Sequence, residues 1–331
     1  VLSKGNICPK ATGLQDIHTC PDRLRKPLKR VRKDPAQKSH DDDWVEVDWD
    51  EAINYAAAEL ARIQNAHGTE SIASYFGRST AHNIGSLLSV VPIQGIIGSR
   101  NIYTGSTVDQ MPHNFVWHHM LGHQFLCTIP DINRTDYYLM LGTNPKVSNG
   151  AQMSTGANTW KKLNAIRERS GKCVLIDPRR TESAKYMDEH HVIRPHADAM
   201  FLIGIIQTIF ARGLAKPGRM AGHINGWDEI APLVNQFDMD RIAEVTGIAR
   251  SDIERIAEEF ASAERPVCYG RTGISMVQFA GLTQWLMQVL NVIVGSMDEI
   301  GGMMFPKPAV SSLPLTHSSW DRYRSRVSGR P

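Results

Sequence analysis

Three short stretches carry the residue types best suited to chemistry: Gly142-Thr143-Asn144-Pro145, Asp177-Pro178-Arg179-Arg180-Thr181 and Arg194-Pro195-His196-Ala197-Asp198. Gly142 lets the backbone turn sharply, and Thr143 and Asn144 then offer hydroxyl, amide and N–H groups to phosphate oxygens. Asp177 supplies a carboxylate that can accept from ribose hydroxyls or from a guanine edge. A glycine at one strand end and an acid at the next also serve packing or capping alone, so each stretch by itself is an ordinary signal.

The elements that must hold these residues can be read from periodicity. Tyr137 to Leu141 reads as a buried strand, Asn158 to Arg169 as a helix and Cys173 to Ile176 as a second strand, which is one βαβ unit with Gly142 and Asp177 at the carboxyl ends. Asp48 with Glu51 forms a capping box for a helix whose apolar positions Ile53, Ala56, Ala57, Leu60 and Ile63 share one face and which ends at Gly68. A strand over 72–77 and a helix over 83–96 follow. A second box, Ser251 with Glu254, opens a helix with Ile253, Ile256, Ala257 and Phe260 inward, then a strand over 267–269 and a long helix over 278–294. This alternation predicts an α/β fold of mainly parallel sheets with helices on both faces and dinucleotide-binding-like subdomains.

Composition sets the outer limits. The 331 residues are 42% hydrophobic, enough for large cores, and a net charge of +3 does not mark a polyanion-binding chain. The basic stretch from Arg23 to Lys33 has no interleaved aromatic residues, is broken by Pro27 and is followed by Asp41, Asp42 and Asp43, so no nucleic-acid partner is expected. The most apolar run, Ala199 to Ala211, is too short to span a bilayer and reads as a buried helix. Five scattered cysteines show no disulfide framework.

The three stretches in this order, with Arg194 to Asp198 leading into an apolar helix, resemble the G-x-N-P, D-P-R-x-T-x-T-A and R-P-G-x-D-A strings of molybdopterin oxidoreductases of the dimethyl sulfoxide reductase family. The resemblance continues in Gly5 to Lys10 (G-x-x-C-x-K), Asp22 to Arg30 (D-R-L-x-x-P-L-x-R), Val47 to Ala52, Tyr269 to Gly273, and Gly295 to Gly302 (G-x-x-D-x-x-G-G). Two positions depart: His196 stands where the family has glycine, leaving that loop less free to adopt positive φ, and Ser183 replaces the second threonine.

The resemblance implies a bis-molybdopterin guanine dinucleotide cofactor carrying molybdenum or tungsten, together with a 4Fe-4S cluster. It assigns Gly142, Thr143, Asn144 and Pro145 to a pyrophosphate turn and Asp177, Arg179 and Thr181 to the guanosine end. Asp198 would join the guanine edge, whose N1–H and exocyclic amine both donate, as no adenine edge does. Gly270, Arg271 and Gly273 would face the pterin or phosphates, with helix–sheet packing as the plainer use of Gly273. Cys8 would be the fourth cluster ligand and Lys10 the residue between cluster and pterin. The segment from Arg100 to Gln110 falls where the family places its metal-facing loop; it holds no cysteine, and Tyr103, Thr104, Ser106 and Asp109 are the oxygen donors among which the sequence does not choose. His113 leads a group with His118, His119 and His123 and is expected to carry protons near the substrate.

The expected organisation is a remnant of an iron–sulfur domain over 1–47, a first α/β segment over 48–130, a dinucleotide-binding-like domain over 131–265, a return strand and helix over 266–306 and an irregular tail over 307–331. The other cluster ligands and a C-terminal domain would lie beyond both ends, so the sequence is expected to be a truncated piece, inactive alone. The implied function is two-electron oxidation or reduction of a small-molecule substrate, with electrons passed through the cluster to a partner subunit or protein. The alternative is a non-catalytic electron-transfer scaffold related to the large iron–sulfur subunit of respiratory complex I; the Asp177, Arg179 and Asp198 set favours the first. The compartment stays open between cytoplasm and periplasm.

Overall fold

The computed structural model describes residues 5, 7, 9–77, 80, 83–148 and 158–307. Two compact units are distinguished, one over residues 7–105 and one that runs from Ser106 onward.

In the first unit, β1 (Leu28–Val31) pairs antiparallel with β2 (Asp43–Glu46), and β3 (Ser74–Phe76) pairs parallel with β4 (Ile102–Thr104). The basic stretch is spent within the unit: Lys26 pairs with Glu46, Lys29 with Glu51, Arg30 with Asp42 and Lys33 with Asp43. The expected cap forms, with Asp48 Oδ1 accepting from the Glu51 N–H at 2.7 Å at the head of the helix Trp49–His67. Gly68 closes it at φ 83°, its N–H donating to the Gln64 carbonyl. The expected inward face is instead open: Ile53 is 59% and Leu60 41% exposed, because two two-stranded pairs offer too little surface to cover a 19-residue helix. The helix Ile84–Ile97, capped by Asn83, likewise leaves Ile84, Leu88 and Ile96 exposed.

The second unit is built on a four-stranded parallel sheet in the order β8-β7-β6-β9, where β6 is Tyr137–Leu141, β7 Lys172–Ile176, β8 Glu189–His191 and β9 Pro266–Gly270. A small antiparallel pair, β5 (Ile129–Pro130) with β10 (Met303–Met304), lies outside it. Because side chains alternate along a strand, the sheet has two dry faces. Tyr137, Leu139, Leu141, Val174, Ile176 and Cys268 pack against the helices Asp198–Ala211, Arg250–Ser262 and Ala280–Ile293. Tyr138, Met140, Cys173, Leu175, Val267 and Tyr269 pack on the other face with Leu163 and Ile166 of the helix Thr159–Glu168.

The second capping box does not form. The helix starts at Arg250 with Ala249 at its head, and Glu254 pairs one turn back with Arg250 at 2.7 Å instead of capping at Ser251. Its expected inward residues Ile253, Ile256, Ala257 and Phe260 are all buried. At the amino edge of the sheet, Lys172 and Arg255 both bridge Glu189 and Glu259. Burial alone would push the Glu189 carboxyl up, but hydrogen bonds from Arg255, Lys172 and His191 outweigh it and hold the group at about 2. Among the described residues no helix is long and apolar enough to cross a membrane.

Candidate cofactor site

Register brings the chemistry together. Leu141 lies opposite Ile176 on one side and Gly270 on the other, so Gly142, Asp177 and Arg271 leave three adjacent parallel strands at the same edge. Above them is a polar cavity of about 310 Å³ lined by Gly142, Thr143, Asn144, Asp177, Arg179, Thr181 and Arg271, with Thr272, which the sequence did not point to. Pro145, Asp198, Gly270 and Gly273 are not among its lining residues. The floor is bare backbone: Gly142 turns at φ 53°, and a Cβ on it would come within 2.8 Å of Gly273 Cα. Gly273 donates its N–H to the Gly142 carbonyl at 2.9 Å, so its glycine is demanded by loop against loop.

The walls are braced from behind. Asn144 donates its amide to Glu182 at 2.7 Å and accepts at Oδ1 from the Ser183 hydroxyl at 2.6 Å, tying the loop after β6 to the loop after β7. The same Ser183 oxygen accepts from the Lys146 N–H, so this serine keeps a hydroxyl bracing the turn. Neither Glu182 nor Ser183 could be picked as a brace from sequence, since the partner is 38 or 39 positions away. Asp177 accepts from the Arg179 N–H at 2.8 Å, and burial raises its carboxyl.

Among the described residues, two buried polar atoms of lining residues lack a hydrogen-bond partner, Thr181 Oγ1 and Arg271 Nε, and the Arg271 guanidinium also lies against the buried Tyr269 hydroxyl. A buried donor left open in this way is costly unless a ligand completes it. A cavity with a bare floor, a buried guanidinium and an open hydroxyl therefore fits a phosphate-bearing, hydroxyl-rich group such as a dinucleotide.

The segment after Ser106 reaches the same loop. Arg271, 3% exposed, donates to Gln110 Oε1 at 2.8 Å and to Asp109 Oδ1 at 3.2 Å, and Thr272 Oγ1 donates to the same Asp109 oxygen at 2.9 Å. His113, on the helix Met111–Leu121, is buried with Nε2 3.2 Å from the Gly270 carbonyl and Nδ1 3.4 Å from Ser275 Oγ. A carbonyl only accepts, so Nε2 carries the proton and Nδ1 accepts from the serine. Burial, reinforced by the Arg271 charge, pushes the imidazole down to about 3, so it stays neutral across pH 5 to 8. The ring ties the helix Met111–Leu121 to the Gly270 carbonyl and to Ser275.

Asp198 heads the helix Asp198–Ala211. Burial, with the Asp177 charge adding to it, pushes its carboxyl up to about 6. His196 adopts φ 70° in spite of its side chain, and its Nδ1 accepts from the Gln278 N–H at 3.1 Å, a contact glycine could not make.

The remaining expected residues fall elsewhere. Thr104 ends β4 in the first unit, and Ser106 opens the short helix Ser106–Asp109. Lys10 lies in the helix Pro9–Thr12, its side chain outside the described residues, as Cys8 is altogether. Among the described residues, no three His, Cys, Asp or Glu side chains converge as a metal site. A larger cavity of about 520 Å³, walled by Phe115, Met120, Trp227 and Trp285, is mostly apolar and offers little to a polyanion.

The cavity at the carboxyl ends of these adjacent parallel strands lies where open α/β sheets place their ligands. The family model for molybdopterin oxidoreductases matches residues 23–297, and the chain belongs to that family. Among its relatives, formate dehydrogenase H of Escherichia coli is 22% identical over 90% of this chain and 40% of its own length. The dimethyl sulfoxide/trimethylamine N-oxide reductase of Rhodobacter capsulatus is 23% identical over 89% of this chain and 38% of its own. Acetylene hydratase of Syntrophotalea acetylenica is 26% identical over 78% and 33%. The solved acetylene hydratase from Pelobacter acetylenicus shares the fold, with a TM-score of 0.75 at 22% identity over 92% of this chain and 40% of that one. The chain thus spans 40% or less of the length of each of these relatives.

Proposed function

We propose that this chain is the nucleotide-holding part of a molybdenum or tungsten bis-pterin oxidoreductase acting on a small molecule. The observation that carries the reading is the 310 Å³ cavity at the carboxyl ends of adjacent parallel strands, lined by Gly142, Thr143, Asn144, Asp177, Arg179, Thr181 and the buried Arg271. Thr143, Asn144 and Arg271 would take the pyrophosphate, and Asp177, Arg179 and Thr181 the guanosine end, with Asp198 at the base edge. When bound, the metal supplies two-electron redox chemistry, and the pterin dinucleotide seats it. The chain's own part is to bind and orient: the bare floor admits the phosphates closely, and the braced loops fix the carboxylates that select guanine.

Cys8 and Lys10 are proposed as cluster ligand and pterin-side cation on the strength of the G-x-x-C-x-K resemblance, with a redox partner protein receiving or delivering electrons. One relative is named a hydratase, so the redox reaction is part of this proposal and not of the family assignment.

Calorimetric titration of the chain with GDP and with ADP tests the reading. GDP is expected to bind with release of heat and ADP at least tenfold more weakly, since a carboxylate facing two guanine donors repels the adenine acceptor at N1. Equal binding of the two, or none of either, overturns it.

A further inference from the structure

We infer that Asp109 and Gln110 are positioning residues for Arg271, and that Asp109 serves the nucleotide loop in place of the metal. This rests on the nucleotide reading above and specifies how its buried cation is aimed.

A guanidinium has five N–H donors in one plane, so fixing its two terminal nitrogens fixes where Nε–H points. Gln110 Oε1 accepts from one terminal nitrogen at 2.8 Å and Asp109 Oδ1 from the other at 3.2 Å. Arg271 is 3% exposed and lines the cavity, its guanidinium lies against the Tyr269 hydroxyl, and its Nε has no hydrogen-bond partner at bonding distance among the described residues. The anchor is itself anchored, because Thr272 donates to the same Asp109 oxygen at 2.9 Å. Four residues after Asp109, His113 bonds the Gly270 carbonyl before Arg271 and the Ser275 hydroxyl after it. One short segment, 109 to 113, therefore grips both the side chain and the flanking backbone of the arginine. An Asp109 oxygen that already accepts from a guanidinium and a hydroxyl has its lone pairs directed at that loop.

Charge and position make opposite predictions. If Asp109 acted on the site only through its charge, removing it would free the Arg271 cation and tighten phosphate binding. If it acts by aiming the guanidinium, removing the acceptor weakens phosphate binding, and an uncharged acceptor of the same shape restores it.

The test is titration of the metal-free chain with GDP and with guanosine, for wild type, D109A, D109N and Q110A. We expect D109A to bind GDP about tenfold more weakly with guanosine affinity unchanged. D109N is expected within about threefold of wild type, and Q110A to weaken GDP by a few-fold. Should D109A fail to fold, as judged by circular dichroism, D109N and Q110A carry the comparison: D109N tighter than wild type with Q110A unchanged would overturn the inference. So would D109A binding GDP as tightly as wild type, the result for a residue reserved for the metal and idle in the metal-free chain, or equal weakening of GDP and guanosine. Failure of the nucleotide reading shows separately, in wild type alone, as no preference for GDP over ADP.

Discussion

Substituting Gly273 by alanine asks whether the two glycine loops are as tightly fitted as the geometry says. The new Cβ would lie 2.6 Å from Gly142 Cα, 2.7 Å from its carbonyl oxygen and 2.9 Å from its carbonyl carbon. Carbon atoms rest at about 3.5–4.0 Å, so the loops must part by roughly 1 Å. Every atom struck is backbone, so no rotamer change relieves the contact. Overpacking costs about 1–3 kcal/mol, and a rigid collision that also stretches the Gly273 to Gly142 hydrogen bond belongs at the top of that range. For a unit of this size, about 2–4 °C per kcal/mol gives a fall in Tm of roughly 6–12 °C. Differential scanning calorimetry reads it directly. Gly281 is the control: it sits in a helix where a Cβ meets only Phe115 Cδ1 at 3.8 Å, so Gly281→Ala leaves Tm unchanged or raises it. A G273A Tm within about 1 °C of wild type would refute the fitted-loop argument.

Three other outcomes follow from the same structure. Folded Asp198 keeps its proton up to about pH 6, whereas an unfolded aspartate releases it near 3.9, so the folded state holds the extra proton between and stability falls as pH rises through that window. D198N should therefore raise stability at pH 8, by up to about 3 kcal/mol, and not at pH 4; an equal change at both would count against a buried charge. His113 runs the other way. Unfolded histidine takes up a proton near pH 6.5 and the folded ring does not until about 3, so stability drops as pH falls below neutral, and H113Q should flatten that slope in chemical denaturation. Finally, N144A unties two loops and should cost about 1–2 kcal/mol while raising hydrogen exchange at 182–184; unchanged exchange there would remove Asn144 as a brace.

Much of the site was legible because the signals are local. A strand of five apolar residues that stops at Gly142 announces its own turn, and Asp177 and Asp198 stand directly at the ends of readable runs. The Asp48 cap was visible for the same reason, its donor lying three residues away. Ser251 shows the limit of local reasoning: Glu254 had a better partner one turn back in Arg250. His196 shows another, since the pattern alone argued against positive φ, and a bond to Gln278, 82 positions away, accompanies it. The link between Asp109 and Arg271 spans 162 positions and leaves no trace in spacing or periodicity. Burial is equally invisible from sequence: nothing in the spacing of the four histidines singles out His113 as a ring that is 1% exposed.

The meeting of Gly142 and Gly273 also bears on how this site can change. Each glycine excludes any side chain at the other, so no second substitution compensates for a first, and that pair of positions is closed to gradual drift. Thr143, Asp177, Thr181 and Asp198 are under no such mutual veto. A redesign of ligand preference, whether by selection or at the bench, therefore has only the walls of the cavity to work on, while its floor stays the same.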